Sequence, residues 1–535
     1  MSVSCIIIIH ALSRFSLNVF FFYRYSISPF SVLERCGIKH PKPSPFFGNL
    51  MMFRDGFFKA QSDLIKKYGR ICGYYIGRRP IVIIADPDML RQVMVKEFNK
   101  FPNRMTVRGI TKPMSDSLIM LKGEQWKRVR SILTPTFSAA KMKEMVPLIN
   151  MATETLVRNL KSHAESGNSV NIHKCFGCFT MDVIASVAFG TQVDSQNNPD
   201  DPFVNHYNFL TVVFPGFTLV AFPFLLKPLA GLLPNKSRDE MNSFFIQCIQ
   251  KMIKQRDDLP PEQRRRDFLQ LMLDVRASNK YLSLEHFDVV NDADEQACTE
   301  QGMDNGQENG PGNESTKRAQ QKRMMTENEI VGQSFIFLLA GYETSSNTLA
   351  FACYLLALHP ECQKKLQEEV DEFFSRHESA DYTNVQELKY LDMVICESLR
   401  LYPPAFRFAR DVDQDTVVNG QLLPKGSSLE IASGFLHYDP EYWTEPEKFI
   451  PERFTPEAKA SRHPFVYLPF GAGPRSCVGM RLAQLEIKMA LYKTNGQSIF
   501  YVTQVPLELK SHTTLGPKNG ILVKITEREN FEDES

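Results

Sequence analysis

The chain has 535 residues, 43% hydrophobic and 23% charged, so it can bury a large core and has length enough for two or three domains. A formal net charge of +1 argues against the basic face of a nucleic-acid binder. Eleven cysteines, an odd number and sparse for this length, exclude a disulfide scaffold and suit a reducing compartment.

Residues 1–32 hold two apolar runs, Ile6–Ile9 and Val19–Phe22, with His10, Ser13, Arg14 and Asn18 between them. A membrane helix needs about 20 mostly apolar residues, so this reads as a weak N-terminal anchor. A signal peptide is the rival, but no small-residue cleavage site follows. Prolines between Pro41 and Pro45 stiffen the next segment. Gly73 to Ala85 is predicted as a β-hairpin, with its turn over Gly77 to Pro80.

Trp126-Lys127-Arg128-Val129-Arg130 places Trp126 and Arg130 one helical turn apart, where both reach one point. Cys175-Phe176-Gly177-Cys178 has metal-like spacing without a second pair and is read as chance. Phe214 to Leu233 is a second apolar tract, and Pro215, Pro223 and Pro228 exclude an ordinary spanning helix. It suits either a dip into a membrane or a buried connection. Residues 291–318 contain no aromatic, Ile, Leu or Val and are predicted to be a disordered insert. Asn235 and Asn313 open glycosylation sequons that a cytosol-facing domain would leave unmodified. No internal repeat is present.

Thr326-Glu327-Asn328-Glu329 is a capping box, and the apolar run it opens stops at His359-Pro360. Glu329, Glu343 and Asn347 argue against a membrane span there, and the small pair Ala340-Gly341 interrupts the run. Glu397 and Arg400 lie three apart on a helix that is apolar on its other side, so they form a buried pair that needs a further partner. Phe449-Ile450-Pro451-Glu452-Arg453-Phe454 offers Arg453.

Phe470-Gly471-Ala472-Gly473-Pro474-Arg475-Ser476-Cys477-Val478-Gly479 then places one cysteine at the end of a glycine-rich loop, just before a helix-periodic apolar run. Backbone N–H groups and a helix N-terminus favour an anion at such a sulfur. A shielded thiolate is a soft ligand for haem iron and favours breaking an O–O bond. Beyond Leu491, Asn495-Gly496 is a turn signal.

This loop and its companions resemble the cytochrome P-450 superfamily of haem-thiolate enzymes, over about Leu33 to Thr526. The resemblance implies a mainly α fold with a small β region and a long central helix over haem. It implies a haem domain over residues 33–526 and a C-terminal tail over 527–535. Haem b would take Cys477 as its axial thiolate. Arg475, Trp126 and Arg130 match propionate partners, Arg410 and Arg104 are further ones, and Phe470 opens the motif. Ala340-Gly341-Tyr342-Glu343-Thr344 matches the oxygen-binding groove, which makes Thr344 a catalytic candidate. Glu397, Arg400 and Arg453 would prop up the core.

Several loops, such as Cys72 to Arg79 and Leu515 to Gly520, resemble the superfamily's endoperoxide-isomerising branch, with the family-3 drug-metabolising monooxygenases next. This implies isomerisation of prostaglandin H2 to thromboxane A2 by a monomer on the endoplasmic reticulum membrane, its catalytic domain facing the cytosol. Three features depart from that branch: Thr344 stands where it carries an apolar residue, the stretch after Leu491 is short and turn-like, and the anchor is poor. The alternatives are a monooxygenase of lipids or xenobiotics, which would need cytochrome P-450 reductase, and a non-catalytic haem protein.

Overall fold

The computed structural model describes residues 17, 20–105, 110–198, 236–276, 324–511 and 513–528. Most of the N-terminal tract, the 214–233 tract, the 291–318 insert and both sequon asparagines lie outside the described residues. The span read from sequence as one haem domain divides between two compact units. One comprises Met1–Gly109, Val213–Pro234 and Arg407–Phe435, the other Ile110–Val212, Asn235–Phe406 and Leu436–Ser535.

The smaller unit carries helix α1 (Phe57–Tyr68) and a four-stranded sheet of β1 (Ile71–Ile76), β2 (Arg79–Ile84), β3 (Phe408–Asp411) and β4 (Ser428–Ile431), in the order β1-β2-β4-β3. The predicted hairpin is present, but its turn is tighter than the sequence suggested. Ile76 pairs with Arg79, so Gly77 and Arg78 alone make the turn, and Pro80 pairs with Tyr75 inside the strand. Gly77 supplies a φ of 56°. Pro80 is tolerated because the parallel β2–β4 ladder begins only at Ile81.

One buried carboxylate ties this unit together. Glu430 on β4 accepts hydrogen bonds from Gln61 Nε2 (2.7 Å), Tyr74 Oη (2.9 Å) and Arg407 (2.8 Å). The Arg407 guanidinium lies over the Phe57 ring at 3.7 Å. A charge out of water persists when it is paired and hydrogen-bonded like this.

The larger unit is mostly helical. Its helices include α2 (Gly123–Leu133), α3 (Ala139–Ser166), α4 (Ile172–Phe189), α5 (Lys236–Asp257), α6 (Glu327–Leu358), α7 (Pro360–Arg376), α8 (Lys389–Leu401) and α9 (Met480–Gln497). Strands β5 (Ser498–Val502), β6 (Leu509–Ser511), β7 (Leu515–Pro517) and β8 (Leu522–Glu527) complete it; β8 pairs with β5 and with the short strand Val170–Asn171, and β6 with β7.

Helix α6 begins with the predicted capping box, Thr326 and Glu329 bonding reciprocally, and ends at His359 before Pro360. Arg128 of α2 pairs with the same Glu329. The core lies where α6 packs along α4. Helix α4 is long and apolar enough to cross a membrane, yet it is mostly buried here. Small residues let the two helices close up: a Cβ on Gly341 would stand 2.9 Å from Ile184 Cδ1, and one on Gly177 2.9 Å from Tyr342 Oη.

The expected turn at Asn495-Gly496 does not form, because α9 runs on to Gln497. Buried Asn495 donates to Leu491 O one turn back at 2.9 Å, so its amide does not break the helix. Gly496 lies flat against Phe374 and Val370, where a Cβ would stand 3.1 Å from each. Arg528 closes the end, donating to Gly496 O (3.0 Å) and forming two bonds to Asp371. Tertiary packing overrides the local turn preference.

Candidate functional site

The cysteine loop is built largely from its own backbone. Gly471 N–H donates to Leu468 O at 3.2 Å, and Cys477 N–H donates to Phe470 O at 2.9 Å. Gly471 and Gly473 take φ of 72° and 68°, a region that other residues rarely enter. A 3-10 turn, Gly473–Arg475, follows, and α9 starts at Met480 with no side chain capping it. Its leading N–H groups therefore keep their positive end just beyond Cys477.

Cys477 is the exposed cysteine among the nine described. The others are buried or half-buried. Burial pushes the Cys72 and Cys175 thiols up to about 12, so both stay protonated near neutral pH. Cys175 and Cys178 lie within α4, and among the described residues no three His, Cys, Asp or Glu side chains gather as metal ligands. One sulfur alone holds no metal ion firmly. It suits an iron whose other donors arrive with a macrocycle.

Helix α2 meets this loop. Arg130 donates to Ser476 O at 2.9 Å, next to the cysteine. Arg475 is buried and donates to Leu118 O (3.3 Å) and Leu121 O (3.0 Å), and its guanidinium lies 4.0 Å from the Trp126 ring centre. The structure thus gathers Trp126, Arg130, Arg475, Phe470 and Cys477. The two cations and one indole N–H suit a pair of carboxylates beside the sulfur.

Arg104 and Arg410 belong to the other compact unit. There Arg410 is buried on β3, and its Nε has no hydrogen-bond partner among the described residues. Burial, with Arg104 beside it, brings its guanidinium down to about 9. A buried cation in that condition is suited to an anionic ligand.

Behind the loop, Glu397 and Arg400 form the expected buried pair through two hydrogen bonds of 2.7 and 2.8 Å. Arg453 Nε stands 3.3 Å from Glu397 Oε1. The guanidinium of Arg400 also donates to the carbonyls of His437, Pro446 and Lys448. The triad is therefore a brace for the loops leading to Cys477 and does not touch the reacting centre.

On α6, Ala340 is exposed and Thr344 half-buried. Thr344 Oγ1 donates to Ala340 O one turn back at 2.7 Å. Glu343 accepts from Thr514 at 2.7 Å, with Lys510 3.8 Å away. Gly341, in the same segment, packs against Ile184.

Two residues that no motif singled out border the site. Glu486 of α9 is buried beside Ser345 of α6, its Oε1 has no partner among the described residues, and burial pushes its carboxyl up to about 8. His437 is also buried. An acidic residue among apolar ones in α9 was a visible signal, whereas nothing local marks His437.

An open thiol ending a glycine loop, backed by buried guanidinium groups, defines a haem-thiolate protein. The cytochrome P450 family profile matches residues 38–296 and 311–494, and the chain belongs to that family. Within it, the chain is 50% identical to thromboxane-A synthase of Mus musculus over 513 residues, covering 94% of each. It is 48% identical to thromboxane-A synthase of Sus scrofa over 512 residues, again covering 94% of each. Cytochrome P450 3A5 of Homo sapiens is 36% identical over 525 residues, covering 96% of each.

Proposed function

We propose that this chain is an isomerase of the thromboxane-A synthase type, converting prostaglandin H2 to thromboxane A2. The observation that carries the substrate is the likeness to thromboxane-A synthases along 94% of the chain. Substrate and product contain the same atoms, so no outside oxidant or reductant enters the balance. When bound, haem b ligated by a thiolate supplies an electron-rich iron that promotes cleavage of a peroxide bond. Cys477 is the residue that would hold the iron. Arg475, Arg130 and Trp126 would hold the propionates.

The rest of the chain contributes placement and exclusion of water. Ala340 keeps side-chain bulk off the exposed face of α6. The Thr344 hydroxyl proton is already given to Ala340 O, and a reaction whose O–O bond arrives in the substrate needs no proton from it. A reductase-dependent monooxygenase is the second reading, favoured by the presence of Thr344 where an apolar residue would suit an isomerase. Product analysis with prostaglandin H2, with and without reductase, decides between them: thromboxane without reductase supports isomerisation, and hydroxylated products only with reductase support the second reading.

We further place the protein on the endoplasmic reticulum membrane, as a monomer acting on a small lipid. Exposed Phe20, Phe21 and Phe22, in a helical segment over residues 20–27, support the membrane attachment. Fractionation of cells expressing a chain that lacks residues 1–32 tests it; a product as membrane-bound as the parent would show that those residues are not the anchor.

A further inference from the structure

A single side chain links the buried Glu397–Arg400 pair to the cysteine loop. His437 Nδ1 lies 3.2 Å from Arg400 O, and Leu468 N–H donates to His437 Nε2 at 3.0 Å. The carbonyl can only accept, so the proton sits on Nδ1. The amide can only donate, so Nε2 must keep its lone pair. Both partners are satisfied by one form alone, the neutral Nδ1–H tautomer; an imidazolium would face Leu468 with a second donor. Complete burial and the charge of Arg400 favour the same form, holding the imidazole down to about 3. The ring also lies against Tyr467, with centroids 5.2 Å apart.

Leu468 is the point where the loop begins. Its carbonyl accepts from Gly471, and two residues further on Phe470 O accepts from Cys477 N–H. A line of hydrogen bonds therefore runs from Arg400 O through the imidazole to Leu468, and on through the loop backbone to Cys477. Leu468 is buried, so its N–H has no recourse to water if the imidazole is lost.

We propose that His437 is a positioning residue for the metal ligand: as a neutral imidazole it fixes the backbone at Leu468 and so sets how the loop presents the Cys477 sulfur. This rests on Cys477 being the thiolate ligand. His437 touches neither substrate nor iron.

The test compares His437→Phe with His437→Gln in the full-length, haem-loaded chain. Phenylalanine keeps the ring against Tyr467 but answers neither Leu468 N–H nor Arg400 O. Glutamine retains a donor and an acceptor. The readout is the ratio of thiolate-type to thiol-type Soret bands in the reduced, carbonyl-bound state, at equal haem content. His437→Phe is expected to lower that ratio by about fivefold or more, the worth of one buried hydrogen bond. His437→Gln is expected to stay within about twofold of the parent. Failure of His437→Phe to load haem, with His437→Gln loading and keeping the parent ratio, supports the same assignment. An unchanged ratio in His437→Phe overturns it, as does equal damage in the two variants. A parent without a thiolate-type band would overturn the ligand reading as well, whereas a thiolate-type parent with an unresponsive His437→Phe overturns only the role of His437.

Discussion

The two helices beside the candidate site residues are built in different ways. Around the N-terminal end of α9, polar groups are answered from several segments at once: Arg475 by two carbonyls and a ring, Arg400 by a carboxylate and three carbonyls. Around Thr344, α6 is an ordinary helix whose hydroxyl turns back on its own carbonyl and whose neighbour Ala340 is exposed. The cysteine-loop end is over-determined, and the Thr344 face is left plain. A site that must hold one sulfur in one place needs redundancy, because removing one partner of a buried pair leaves the other uncompensated. A face that must admit a bulky apolar substrate needs little more than room.

That contrast predicts a descending series of effects. The largest falls on the sulfur. Cys477→Ala should abolish both the thiolate-type carbonyl spectrum and isomerisation, and a variant that kept the spectrum would move the ligand elsewhere. Next is the brace. Glu397→Ala leaves Arg400 buried without its carboxylate and should cost about 3–5 kcal/mol in stability. Urea unfolding together with haem content measures this, and a loss under about 1 kcal/mol would mean that the pair behaves as a solvated one.

Smaller still is the pH dependence from the two buried groups that border the site. Glu486 is raised from 4.5 to about 8 in the folded chain, so the folded state holds the proton more tightly. Its contribution is complete below pH 4.5 and is lost as the pH rises towards 8. His437 is lowered from 6.5 to about 3, so its contribution is complete above pH 6.5 and is lost as the pH falls. Each group contributes a slope of about 1.4 kcal/mol per pH unit, with opposite signs where the ranges overlap. Stability should therefore fall by about 2 kcal/mol between pH 6.5 and 8, and Glu486→Gln should remove that fall. Urea midpoints across this range check it, and an unchanged slope in Glu486→Gln would assign the fall to other groups.

The smallest effect belongs to the plain face. Thr344→Ile should leave thromboxane formation within about tenfold of the parent, under about 1.4 kcal/mol in barrier. The same change should suppress any reductase-dependent hydroxylation. Both assays need correction for haem content. A larger loss of isomerisation would show that the hydroxyl contributes to the rearrangement, and the contrast between the two helices would narrow.

Much of this was legible in the chain before folding was considered. The capping box at Thr326, the stop at His359-Pro360, the Glu397–Arg400 pair and the cysteine loop are short-range patterns, and short-range patterns survive in sequence. The turn expected at Asn495-Gly496 failed for the complementary reason. Its outcome depends on Phe374, Val370 and Arg528, which are distant in sequence. The packing of Gly341 was likewise not legible, because only the closeness of Ile184 shows which of the two small residues is packed and which is exposed.

Spacing within ten consecutive residues was enough to single out Cys477 as the candidate metal-binding thiolate, since the glycines, the helix start and the sulfur act on one another through local backbone geometry. Which atoms of distant side chains meet its loop was a matter for folding. Arg130 meets Ser476 across 346 positions, and His437 meets Leu468 across 31. Such meetings are set by how helices and loops pack into one core, and packing depends on the whole set of buried surfaces.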